Sequence, residues 1–210
     1  IPIAISKMIS ESRALGRPRE TKKIFRTAIS LCIGIGAVGM VALIVLAKPL
    51  ALATNDPNAS ISIIALAPAV LFMAVTAGFR GYFQGHENMV PTALSQIIEA
   101  LSRLLIGLVL AWLLLSYGFE EKFVSGGIIL GITTGTVLTV LMMLGFAAYF
   151  KKRTQQGAET LETRKSSELL ASLLKIAIPV TVGSLVMNLT STIDMFLITN
   201  RLASLGYNAE

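Results

Sequence analysis

Glu99 and Arg103 stand four residues apart inside the apolar run "VPTALSQIIEALSRLLIGLVLAWLLLSYG". The run is long enough to cross a bilayer, where about 20 apolar residues suffice. An unpaired charge near the centre of such a span costs at least ~2.5 to 3.5 kcal/mol. The i,i+4 spacing with the carboxylate first is the favourable orientation for a pair on one helix. A helix that leaves the surface near Pro91 carries Glu99 roughly 12 Å deep and Arg103 about 18 Å deep, close to the midplane. Both side chains are expected to face a bundle interior or a watery cavity. Two chemistries fit them: an ion pair that only fixes helix packing, or a cavity-lining site for a charged substrate or a coupling ion.

Other residues are candidates for the same work. Arg80 lies in "GFRGYFQG" and is placed to meet a phosphate at the cytoplasmic surface. The glycines at 78, 81 and 85 do not make a phosphate-binding loop, because no strand–helix context and no Lys–Ser/Thr pair follow. Tyr82 and Phe83 read as interfacial aromatics. Asp194 lies in "NLTSTIDMFLITNRL", and Arg201 follows seven residues later on the same helix face, too far for an i,i+4 contact. Asp194 is either an interfacial carboxylate or a coupling or gating group, and Arg201 is an end anchor or a partner in that gating. Lys175 is near the cytoplasmic end of its span and can snorkel. With one His (His86), one Cys (Cys32), no metal-ligand cluster, no acidic loop for a Mg²⁺–diphosphate and no Walker motif, neither metal, cofactor nor enzymatic chemistry is expected.

The elements that must position these residues follow from composition. Hydrophobic residues make up 54% of the 210 and charged residues only 14%, against about 25% charged in a soluble domain. Mean hydropathy is +0.73. The apolar residues fall in five blocks, 24–50, 61–79, 90–117, 125–150 and 169–199, preceded by "IPIAISKMISE", which reads as the end of a helix. The fold class expected is an all-α polytopic transmembrane bundle, and the sequence reads as a fragment of a longer chain. The net charge of +6 points to topology and the bilayer rather than to nucleic acid. Three alternate loops hold thirteen Lys and Arg, among them Lys7, Arg13, Arg17, Arg80, Lys151 and Arg164; the other two hold Lys48 and Lys122. The basic loops are therefore expected on the cytoplasmic side, with the N-terminal end cytoplasmic and the C-terminal end outside. Gly127, Gly131 and Gly135, spaced by four, form a stripe that allows close helix approach. Pro179 is expected to kink the last span.

Three stretches together carry a resemblance: "IPIAISKMISE", "GFRGYFQGHENMVPTALSQIIEALSRLLIG" and "IPVTVGSLVMNLTSTIDMFLITNRL". They are similar, in order and over nearly the whole chain, to the polysaccharide-biosynthesis branch of the MOP flippase superfamily. That group includes stage V sporulation protein B and the MurJ-type lipid II flippases. The resemblance implies a fragment of a two-lobed, MATE-like transporter of about fourteen helices in a bacterial cytoplasmic membrane. Residues 1–150 would run from the end of the second span through the sixth, 151–168 would be the cytoplasmic inter-lobe linker, and 169–210 would begin the second lobe. On that alignment the first span would lie outside this chain, and in the family it supplies much of the cavity's positive charge.

The resemblance further implies a flippase that moves an undecaprenyl-diphosphate-linked glycan precursor, similar to lipid II, across the membrane by alternating access. Its partners would be that lipid-linked substrate, the bilayer and a coupling cation. Arg103 would be a cavity cation partnered by Glu99, Arg80 would guide phosphate at the cytoplasmic mouth, and Asp194 would be a coupling or gating carboxylate. Alternatives stay open: a multidrug or cation antiporter of the same superfamily, a membrane enzyme acting on polyprenyl-linked sugars, or a non-transporting scaffold in sporulation or division.

Overall fold

The computed structural model describes residues 1–53, 59–118, 121–153 and 166–204, all as helices and short turns with no strand among them. Six helices follow one another: α1 (Pro2–Ala14), α2 (Pro18–Ala53), α3 (Ala59–Gly85), α4 (Val90–Ser116), α5 (Glu121–Arg153) and α6 (Ser166–Ser204). Helices α2 to α6 contain the five apolar blocks and are each long and apolar enough to cross a membrane. This chain is a multi-pass membrane protein. At about 1.5 Å per residue, the 27 residues of α4 reach roughly 40 Å, the full bilayer with its interfaces. Helix α6 continues as a helix through Pro179. The linker candidate lies largely outside the described residues.

Two short turns set the geometry around the candidates near Arg80. Helix α1 stops at Gly16, whose positive φ of 68° lets the chain close on itself. The Gly16 N–H donates to Arg13 O and the Arg17 N–H to Ser12 O, the two bonds of a Schellman stop. Pro18 then opens α2, with its fixed φ suited to a first helical turn. The same device ends α3. There Glu87 takes a φ of 60°, the Asn88 N–H donates to Phe83 O and the Glu87 N–H to Gln84 O. Asn88 Oδ1 accepts from the Val90 N–H, and Pro91 sits in the first turn of α4. A short turn thus joins α3 to α4.

Small residues decide which helices come close. In "GFRGYFQG", the glycines are contact points. Gly78 admits Ile29 of α2, while Gly81 and Gly85 admit Ile5 and Ile9 of α1. Ser10 Oγ donates to Gly85 O at 3.3 Å and ties α1 to the same place. One turn round, Phe83 is fully buried and meets Phe146 and Phe150 of α5 edge-on. The first turns of α6 bury Leu169, Leu173 and Ala177 against Ala4, Ile5, Ile24 and Cys32. From residue 181 to 191, α6 is exposed all round.

The glycine stripe of α5 makes the most extensive helix pairing, with α4. A Cβ at Gly131 would lie 2.6 Å from Gly107 N, and one at Gly135 would lie 3.2 Å from Arg103 N and 3.3 Å from Glu99 O. Backbone therefore meets backbone at the turn of α4 that carries the charged pair. By contrast α4 touches α3 at few places. Replacing Gly131 with Leu is expected to force α4 from α5 and cost about 1–3 kcal/mol, the range for overpacking. Gly34, with nothing within 4 Å of its Cβ position, should accept Ala with little loss. Thermal unfolding of the detergent-solubilised full-length protein checks both, and a Gly131→Leu protein that melts with the wild type would refute the close-packed seam.

Candidate functional site

Residues 91, 92, 95, 102 and 107 of α4 are buried and lie on one side of its helical wheel. Glu99 falls in the middle of that side, with its side chain 14% exposed. A carboxylate at that place needs donors, and two guanidiniums supply them. Arg103 Nη2 donates to Glu99 Oε1 at 3.0 Å, the intrahelical i,i+4 pair expected from the sequence. Arg80 Nη2, from α3, donates to Glu99 Oε2 at 2.7 Å. Arg80 Nε donates to the Oγ of Ser95, which is wholly buried and donates in turn to Thr92 O at 2.7 Å.

Arg80, expected from the sequence to meet a phosphate, does not stand alone. It reaches across the hairpin and closes a three-membered charge cluster. The signal lay in the hairpin's register. Arg80 is five residues before the end of α3 and Ser95 five residues after the start of α4. Antiparallel helices joined by a short turn put such positions level, and the long arginine side chain covers the further turn to Glu99. Ser95 was the residue sequence reasoning missed. It is an ordinary serine in an apolar run, and only its neighbour across the hairpin makes it distinctive.

The electrostatics are lopsided. Two arginines and one glutamate leave the cluster with one net positive charge. Each carboxylate oxygen is held by a different arginine, and charge-assisted bonds of these lengths are the stronger kind. The Arg103 side chain is still 45% exposed. Thr92, on the same side of α4, has a buried Oγ1 without a hydrogen-bond partner among the described residues. Two guanidiniums that converge on one carboxylate present donors of the kind that suit anionic oxygens. Among the described residues, no group of three or more His, Cys, Asp or Glu is placed to hold a metal ion.

The remaining candidates lie elsewhere. Asp194 is exposed on the far part of α6, a helix that touches only α1 and α2 among the described residues. The Arg201 side chain lies outside the described residues. Lys175 lines a separate cavity of about 260 Å³ between α1, α2 and α6, with Glu11, Glu20 and Ile24. Glu20 there is 3.5 Å from Arg17. His86, in the turn between α3 and α4, bonds Tyr82 O through Nδ1. Burial pushes its imidazole below the ordinary value, against the raising effect of that bond and with a further push from the positive charge of Arg13.

Comparison with known proteins adds a second line of information. A family model described as polysaccharide biosynthesis protein matches residues 1–207. The chain is 27% identical over 209 residues to stage V sporulation protein B of Bacillus subtilis (strain 168), covering 98% of this chain and 40% of that protein. It is 30% identical over 196 residues to the uncharacterized membrane protein YabM of the same organism, covering 92% of this chain and 36% of that one. It is 26% identical over 155 residues to lipid II flippase MurJ, again of Bacillus subtilis (strain 168), covering 69% and 27%. The chain therefore spans 40% or less of the length of these relatives. No solved structure matches it significantly.

The cluster's asymmetry can be measured. Glu99→Ala leaves two guanidiniums facing each other without a counter-ion, whereas Arg103→Ala leaves Glu99 still held by Arg80. Glu99→Ala is expected to destabilise the full-length protein by about 3 kcal/mol or more, as for a broken buried pair, and Arg103→Ala by about 1 kcal/mol. Melting temperatures in detergent at matched pH give the order, and equal losses would contradict the geometry.

Proposed function

The chain belongs to the polysaccharide biosynthesis protein family, and on that premise we propose that it is the part of a membrane flippase that carries a charged site within its spans. The substrate class is an undecaprenyl-diphosphate-linked precursor of a cell-wall or surface glycan, similar to lipid II. The observation that carries this reading is the Arg80–Glu99–Arg103 cluster, net positive and set between three apolar helices. The name of one relative, lipid II flippase MurJ, supports the substrate class.

The physics of the task explains why such a cluster is useful. A diphosphate–sugar head group cannot enter hydrocarbon alone, because its charges and hydroxyls would lose their water. Guanidiniums in a sheltered cleft replace that water with fixed donors and suit phosphate geometry. The lipid tail can stay in the bilayer throughout. Alternating access would then carry the head group from the inner to the outer leaflet, with the basic loops cytoplasmic and the C-terminal end outside. Residues 1–150 would belong to the first lobe, 151–168 to the linker between lobes and 169–210 to the second. Membrane potential or a coupling cation would drive the cycle, with Asp194 as a coupling or gating carboxylate and Arg201 near its outer end.

The test uses the complete gene. In a host depleted of it and of other flippases, wild type or Arg103→Ala is restored at matched membrane levels, and lipid-linked precursor on the outer leaflet is assayed. Wild type is expected to restore outer-leaflet precursor, and Arg103→Ala to lower the rate by ~10-fold or more, equivalent to roughly 1.4 kcal/mol. Precursor reaching the outer leaflet at the full rate without the protein would overturn the reading.

A further inference from the structure

We infer that Glu99 is a resident counter-ion, displaced from Arg80 and Arg103 when a diphosphate-bearing head group arrives. The inference rests on the flippase reading for the identity of the head group, and on the geometry for everything else.

Three observations carry it. First, the carboxylate already does what a phosphate would do. Arg80 and Arg103 come from different helices, and each gives one donor to a separate Glu99 oxygen, at 2.7 and 3.0 Å. Donors converging in this way suit any compact anion with two or more oxygens. With Glu99 in place the pair of arginines is only partly neutralised, so a more highly charged anion outcompetes the carboxylate. Second, the site has unused capacity: the Arg103 side chain is 45% exposed with one of its donors given to Glu99, and Thr92, on the same side of α4, has a buried hydroxyl without a partner among the described residues. Third, the exchange does not undo the packing. Helix α4 reaches α3 at few places, Arg80 with Ser95 and Glu99 among them, while α5 is packed on both α4 and α3, so Glu99 can leave Arg80 with the three helices still held together.

The inference makes a prediction opposite in sign to a purely structural role. If Glu99 only holds the arginines in place, Glu99→Gln loosens both and weakens anion binding. If Glu99 competes with the ligand, Glu99→Gln strengthens it. Inorganic pyrophosphate is titrated calorimetrically into the full-length protein in detergent. Glu99→Gln is expected to bind it ~10-fold more tightly than wild type. Glu99→Asp, whose carboxylate is drawn back by one methylene, should fall between the two and guards against misfolding of the first variant. Arg103→Gln should bind more weakly than wild type.

Binding by Glu99→Gln that is equal to or weaker than wild type, or absent from both, overturns the exchange. So does a gain confined to phosphatidylglycerol in mixed micelles, which would make the ligand a phospholipid head group. The two readings fail separately. Tighter pyrophosphate binding by Glu99→Gln in a protein that moves no precursor would keep the exchange and sink the flippase. Normal precursor movement with no tightening would do the reverse.

Discussion

The arrangement depends on one constraint: a carboxylate that sits on the packed side of a membrane helix must be given donors by its neighbours. Glu99 is that carboxylate. It takes Arg103 from its own helix and Arg80 from the helix before it. Either arginine alone inside an apolar span would face the same difficulty, so the three solve one problem together. What remains is a single positive charge, sheltered but not sealed. Charge of that kind inside a membrane bundle points to function more often than to packing, and arginine's planar fork matches phosphate as well as carboxylate.

The glycines serve this cluster indirectly. Gly131 and Gly135 bring α5 against the backbone of α4 at Gly107, Arg103 and Glu99. No side chain of α5 then stands between the helices at that level, and the charged residues are left to turn toward α3. At the other end of the hairpin, Gly81 and Gly85 seat α1 on α3 through Ile5 and Ile9. Arg80 lies between these two contacts on the opposite side of α3. The motif "GFRGYFQG" is thus two surfaces interleaved at helical spacing: glycines for a close neighbour and an arginine for the site.

Much of this was legible from the residues. Five long apolar runs are unambiguous because a bilayer leaves the backbone little choice but helix. The Glu99–Arg103 pair was legible because i,i+4 contact is a local property of one helix. The glycine stripe in α5 was legible as a packing surface for the same reason. The Arg80 contact was not, because it depends on the register between two helices, which single-helix periodicity does not contain. The turn at 86–89 held a clue in its shortness, but Glu87 in a left-handed conformation is a stop signal without the usual glycine. Ser95 had no signal of its own. The expectations for Asp194 and Arg201 concern the far part of a helix whose described side chains from 181 onward are exposed.

The central claim is that Arg80 and Glu99 act on each other across α3 and α4 in the working protein. The most direct measurement is a double-mutant cycle of Arg80→Gln and Glu99→Gln on the unfolding free energy of the full-length protein. The account predicts a coupling of at least about 1 kcal/mol, as for residues in one charge network. Losses that add to within ~0.3–0.5 kcal/mol, the behaviour of independent sites, would contradict it.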